Sequence, residues 1–458
     1  MSHVIEIARL IQNGGSSNRR VRRLCLHAID NALEAINPST SLKARLKVKR
    51  GKLIVDHLTF PLPNVIKVLS VGKASIPMMQ TMLSLLKDRD VSGILVAPKN
   101  EKIEWTDTRL EVFHSGHPFP DEDGVRAAEA VISTAGQMRK GDLLICLISG
   151  GASAMLPAPP ETIPLSDKRN VTEQLIKSRA TIHEINTVRR HLSRLKGGRL
   201  VELCGASTVL SFIISDVSGN ILSDIASGPT APDPTTFRDA VNVLQRYGLW
   251  DGIPAPVKAY LQGGLIGNVT ETPKPGDPRF RRVHNFIIAD NRSACNAAKA
   301  ALEKKRAHAT ILASSVDMEA QSMGNLLASV AHDDERFSHP LQTSAAIILG
   351  GETTVQVRGN GVGGRNQETA MSAIERIAGL KGVAIAAIGT DGIDGNSPAA
   401  GAIIDGNSAS RADQLGLNLR EFMERNDSYN LFHALHDNIV TGRTGTNVGD
   451  LYILVRSK

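Results

Sequence analysis

Four times in this chain a short apolar run ends in glycines mixed with hydroxyls, a lysine or carboxylates, and that recurrence constrains the fold more than anything else in it. Residues 65–71 run into Gly72-Lys73-Ala74-Ser75, residues 142–148 into Ser149-Gly150-Gly151-Ala152-Ser153, residues 209–214 into Ser215-Asp216-Val217-Ser218-Gly219, and residues 383–388 into Gly389-Thr390-Asp391-Gly392-Ile393-Asp394-Gly395. The runs are too short for helices and do not alternate polar with apolar, so they read as strands buried on both faces. Further strands are expected at 93–97, 110–113, 286–289, 310–313, 345–349 and 451–455, and a half-exposed one at 354–357. Helical spacing fills the intervals. Strand and helix in alternation specify an α/β fold, with a parallel sheet covered by helices.

At 458 residues the chain exceeds one ordinary core, so two domains are expected. Proline and glycine cluster at 228–234 and again at 271–278, on either side of a helical stretch with Val241, Leu244 and Tyr247. We therefore expect an N-terminal parallel-sheet α/β domain over 1–235, a connecting segment over 236–282 and a second α/β domain over 283–458. Near the start, Val21, Leu24, Ala28, Ala32, Ala35 and Ile36 form one side of a helix that Pro38 ends.

Composition narrows the classes of function. A net charge of +7 and an isoelectric point near 9.2 are modest over this length, and no Lys/Arg block or basic-aromatic stripe is present, so an acidic small molecule is expected rather than nucleic acid. Cys25, Cys146, Cys204 and Cys295 are widely spaced with no CxxC pair, which argues against a disulfide framework and a zinc site. No run approaches a membrane span and the first residues lack a signal-peptide pattern, so a cytoplasmic enzyme is expected, its oligomeric state (monomer or homodimer) open.

In an open parallel sheet, ligands bind beyond the carboxyl ends of the strands. The residue types found at these ends suit phosphoryl transfer. Glycine loops let amides approach phosphate oxygens, a cation such as Lys73 neutralises charge on the moving group, and a carboxylate holds magnesium or takes a hydroxyl proton. Asp216, Asp224, Asp391 and Asp394 are all candidates for that carboxylate.

The stretch 349–368, LGGETTVQVRGNGVGGRNQE, adds an expected anion site: Gly363 and Gly364 precede a helix N-terminus, where amides and dipole favour negative charge, and Arg365 stands beside them. The same stretch also reads as a glycine-rich hairpin leading into a helix, with Arg358 and Arg365 on the surface. A P-loop is excluded, because Lys67 occupies the position of its first glycine before Gly72-Lys73. Gly359, Gly361 and Gly364 satisfy GxGxxG formally, yet they follow a polar strand and no acidic residue lies about twenty positions on. A basic helix over 184–196, ended by Gly197 and Gly198, presents Arg189, Arg190, Arg194 and Lys196 and reads by itself as a solvated face.

Taken in order, VGKAS at 71–75, SGHPFPDEDG at 115–124, SGGASAMLPAP at 149–159, INTVRRHLSRLKGGRL at 185–200, SDVSGN at 215–220, SGPTAPDPTTF at 227–237, TPKPGDP at 272–278, GGET and GGRNQE within 349–368, GTDGIDG at 389–395 and TGRTGTNVGDL at 441–451 resemble the two-domain glycerate 2-kinases, whose C-terminal part is the MOFRL domain. The resemblance covers nearly the whole chain. It implies transfer of the ATP γ-phosphoryl group to the 2-hydroxyl of D-glycerate with Mg²⁺, giving 2-phosphoglycerate, in a cleft between the Rossmann-like and MOFRL domains. The two catalytic cations then fall on Lys73 and Arg365. Gly72, the Ser149, Gly150, Gly151 and Ser153 loop, and Gly363 with Gly364 meet nucleotide phosphates, and Arg190 and Lys196 bind substrate. Asp216 as general base or magnesium ligand is our chemical inference, and His117 is taken as structural or substrate-shaping. Proteins of this kind also carry the name hydroxypyruvate reductase, so an NAD(P)H-dependent reductase is the alternative.

Overall fold

The computed structural model describes residues 2–337 and 344–457. The chain divides into two compact units, Ser41–Ile288 and a second made of Met1–Thr40 together with Ala289–Lys458.

The unit Ser41–Ile288 begins with a small antiparallel sheet of β1 (Leu46–Lys49), β2 (Lys52–Val55) and β3 (Leu58–Pro61). Its main sheet contains β4 (Ile66–Val71), β5 (Val91–Pro98), β6 (Leu110–Ser115), β7 (Leu143–Ile148), β8 (Thr208–Ile214) and β9 (Val283–Ala289), in the order β6-β5-β4-β7-β8-β9. The pairings from β6 through β8 are all parallel. All six residues of β7 are buried, as the unbroken apolar run required. The chain steps from β4 to β5 and β6 on one side, then crosses to β7, β8 and β9 on the other, so the strand order reverses between β4 and β7. Helices on either side of such a point diverge and leave a crevice at the strands' carboxyl ends.

Residues 236–282 do more than connect. Helices Phe237–Arg246 and Ala255–Leu265 join Leu165–Lys177 and Ile182–His191 around a core that includes Val171, Leu175, Val188, Phe237, Leu244 and Leu261. The apolar side of the helix carrying Val241 and Leu244 is thus buried inside this unit.

The other unit is built on a mixed sheet, β10 (His308–Val316), β11 (Ala345–Gly351), β12 (Val383–Gly389), β13 (Gly401–Asp405), β14 (Asn438–Ile439) and β15 (Asp450–Arg456), ordered β10-β11-β15-β12-β13-β14. Only β10 and β11 pair in parallel; β11 and β12 both run antiparallel to β15, which lies between them. On one face Met323, Leu327, Ile374 and Ile377 pack with Ile347, Ile385 and Leu454.

Helix Gly15–Ala35, expected in the first domain, belongs to this unit. Its fully buried Arg22 pairs with Asp405 and places NH1 2.8 Å from Asp437 Oδ1, and its buried Cys25 thiol faces the Ala384 and Ile453 carbonyls. Residues 354–357 form no strand; Thr354 makes a single bridge with Glu319. All four cysteines are free and buried. Among the described residues no helix is long and apolar enough to cross a membrane.

Candidate active site

Where the strand order reverses, the loop after β4 is locked to the loop after β7. The Lys73 amide donates to the Gly150 carbonyl at 2.9 Å, and the Ala74 amide donates to Ser149 Oγ at 3.0 Å. Gly72 has φ +116°, and a β-carbon there would strike Ser149, so glycine is required on both conformational and steric grounds. The loops after β8 and β6 close on the same point. A β-carbon on Gly150 would strike the Asp216 carboxylate, and one on Gly151 would come within 2.8 Å of the His117 ring. Burial, and then the charge of Lys73, lower the His117 pKa. The backbone therefore brings Gly72, Lys73, Ser149, Gly150, Gly151, His117 and Asp216 together from four strand ends.

Ser153 extends this cluster. Its hydroxyl lies 2.8 Å from that of Ser227, which donates to Asn186 Oδ1 at 2.9 Å, and Asn186 Nδ2 donates to the Asp224 carbonyl at 3.2 Å. The basic helix that carries Asn186 ends at His191, short of the glycines. Gly197 and Gly198 instead form a left-handed turn whose amides donate to Ser227 and Gly228.

The solvated face expected for this helix is not what the structure has. Arg190 is completely buried; its Nε is 3.0 Å from Asp233, NH1 donates to the Ser223 carbonyl and Asp224, and NH2 donates to Thr187 and Thr235. Two carboxylates thus already answer the guanidinium expected to bind substrate, and Asp224 is used in holding it. Lys196, also buried, donates to the Ser153 and Leu156 carbonyls at 2.8 and 2.9 Å, so it grips the chain just past the glycine loop.

In the unit containing β10–β15, Arg365 opens helix Arg365–Ala373 and is clamped by acids. Its Nε and NH2 donate to Asp450 at 2.6 and 3.0 Å, and NH1 is 2.8 Å from Glu352. Burial works against its charge, but Asp450 outweighs that and raises its pKa. Asp450 is fully buried and also accepts from Asn366 Nδ2 at 3.1 Å and the Tyr452 hydroxyl at 3.0 Å.

Two amides of that helix's first turn are already taken within the unit. Asp394 accepts from Asn366 N at 3.1 Å and Gln367 N at 2.8 Å, and burial, with Asp450 adding to it, pushes its carboxyl up to about 6. The glycine amides are occupied as well: Gly359 by Asn426, Gly361 by the Arg425 carbonyl, Gly363 by Asn396. A β-carbon on Gly361 or Gly363 would strike Asp427 or Ser428. These glycines let the loop pack against residues 425–428, and the amides of Gly359, Gly361 and Gly363 are spent in doing so. Of the remaining carboxylate candidates, Asp391 receives the Ile393 amide in its own turn.

Sequence reasoning gave Asp450 no role, although it lies inside the motif at 441–451. The available signal was an acid placed immediately before a fully apolar strand.

Two family models match the chain, a domain of unknown function (DUF4147) over residues 24–262 and the MOFRL family over residues 345–450. The chain is 36% identical to the glycerate 2-kinase of Pyrococcus horikoshii, over 95% of this chain and 97% of that one. A crystal structure of the glycerate kinase of Thermotoga maritima matches with a TM-score of 0.85 at 34% identity, covering 95% of this chain and 99% of the other. A protein of Agrobacterium vitis named putative hydroxypyruvate reductase is 35% identical over 97% of this chain and 95% of its own.

Proposed function

This chain belongs to the DUF4147–MOFRL family that includes the glycerate 2-kinases, and we propose that it transfers the γ-phosphoryl group of ATP to the 2-hydroxyl of D-glycerate. The observation that carries the reading is the convergence of the loops after β4, β7 and β8 on Gly150, at the point where the strand order reverses. The acceptor 2-hydroxyl oxygen attacks the γ-phosphorus, the bond to the bridging oxygen breaks with its electron pair leaving on ADP, and the hydroxyl proton passes to a carboxylate.

Asp216, over Gly150, is the group we assign to that proton or to Mg²⁺. No cluster of three or more His, Cys, Asp or Glu side chains able to hold a metal occurs among the described residues. One carboxylate fits an ion carried mainly by nucleotide phosphates, whose charge it would neutralise. Amides of Gly150, Gly151 and Ser153 receive phosphate oxygens, and Lys73 and Arg365 stabilise charge on the transferred group.

³¹P NMR of the products of ATP and D-glycerate is expected to show 2-phosphoglycerate and ADP. Lys73→Ala and Arg365→Ala are each expected to fold and to lose about a hundred- to a thousand-fold in kcat. A product phosphorylated at the 3-position, or full turnover in either variant, contradicts the assignment. The reductase reading predicts consumption of NADH with hydroxypyruvate, readable by absorbance; the amides of two of the glycines that suggested it, Gly359 and Gly361, are occupied within their own unit.

A further inference from the structure

Helix Ile182–His191 carries two adjacent arginines in opposite circumstances. Arg190 has carboxylates on either side. Arg189 is partly exposed, has no hydrogen-bond or ion-pair partner among the described residues, and is influenced in its titration by burial alone, which lowers its pKa. It lies three residues after Asn186, on the same helix face, and Asn186 is linked through Ser227 to Ser153 at the end of the glycine loop.

Two buried lysines sense its charge. Burial and then Arg189 bring Lys196 down to about 7. Burial, then Lys196, Arg189 and Arg194, put Lys168 well below its ordinary value. Both lysines donate to carbonyls: those of Ser153 and Leu156 for Lys196, those of Pro157 and Leu192 for Lys168. Arg194 differs, since Glu129 answers it. Lys196 and Lys168 thus hold the chain just past the glycine loop through carbonyls alone, and Arg189, whose charge both of them sense, keeps a guanidinium that no acid answers among the described residues, an arrangement an incoming anion would complete.

We propose that Arg189 is the docking cation for an anionic group of a ligand held on the Ser149–Ser153 loop, either the carboxylate of the 2-hydroxy acid or a phosphate of the nucleotide. The inference rests on the kinase reading and goes beyond it by naming the residue. A guanidinium presents a planar fork that matches either anion through two parallel hydrogen bonds.

The test is calorimetric titration of the full chain, wild type, Arg189→Ala and Arg189→Lys, with D-glycerate, a non-hydrolysable ATP analogue and inorganic phosphate. Arg189→Ala is expected to weaken one class of ligand by about ten- to a hundred-fold, with Arg189→Lys between it and wild type. Loss for glycerate alone identifies the carboxylate; loss for the nucleotide and phosphate identifies the phosphoryl group. Unchanged binding of all three by Arg189→Ala, or binding of none by the wild type, overturns the proposal.

Peptide mapping after phenylglyoxal treatment is an independent measurement on the unmutated chain. Arg189 should be modified when free and protected by the ligand identified above, and modification unaffected by that ligand overturns the proposal. If no phosphorylated glycerate forms but Arg189→Ala still loses nucleotide and phosphate, the kinase reading fails and this one stands.

Discussion

Asp450 governs what Arg365 can do. Two parallel hydrogen bonds fix the guanidinium, and Tyr452 and Asn366 fix the carboxylate in turn. Asp450→Asn keeps the volume but replaces one acceptor oxygen with a donor, so the arginine should move. A displacement on the order of 1 Å can cost about a hundred-fold in rate. Steady-state kinetics should show that loss in kcat, with the KM for ATP little changed.

Lys196 gives a second expectation at this scale. Its folded value of about 7 lies below the ordinary 10.5, so between those pH values the unfolded chain holds a proton that the folded chain has released. Stability linked to this residue therefore rises with pH from about 7 towards 10.5. Denaturation midpoints of wild type and Lys196→Met should separate, in favour of wild type, over that window. Parallel curves would remove Lys196 from the linkage.

At the scale of elements, helix Arg365–Ala373 is held by a carboxylate from another part of its own unit. Removing the side chain in Asp394→Ala leaves the Asn366 and Gln367 amides and the Gln367 side-chain nitrogen without their acceptor. A loss of about 2 to 4 kcal/mol is expected in urea denaturation.

The same element shows what was legible beforehand and what was not. Its start after Gly364 followed from local spacing, and so did the strands from β4 to β12, most plainly β7, β11 and β12, which are buried along their whole length and announce themselves as continuous apolar runs. That Asp394 would occupy the first-turn amides did not follow, since the partner lies 27 residues from Gln367. Arg190 failed for the same reason: its acids, Asp224 and Asp233, come from loops that only the fold brings near. Residues 354–357 alternated as a strand should, but alternation supplies no neighbouring strand to pair with.

For the molecule as a whole, the placement of the first forty residues matters most. Helix Gly15–Ala35 buries Cys25, Leu26, Ile29 and Leu33, and Arg22 answers Asp405 and Asp437. Arg22→Met should cost about 3 to 5 kcal/mol, because it leaves buried carboxylates short of their partner. Differential scanning calorimetry should assign that loss to the unit containing β10–β15, with any separate transition of Ser41–Ile288 unmoved. The amphipathic pattern of this helix was plain in the sequence; its partner was not, because nothing local tells a helix which of two cores it will enter.

That arrangement has a consequence for the newborn chain. The helix emerges from the ribosome before the sheet it covers has been synthesised, and the whole of Ser41–Ile288 must come between. At ordinary rates of translation those roughly 250 residues take on the order of ten to fifty seconds. Throughout that interval an apolar, arginine-bearing helix has no permanent partner, while the unit inserted behind it can already fold. This helix must wait for strands made after Ile288, and its capture by them is expected late in folding.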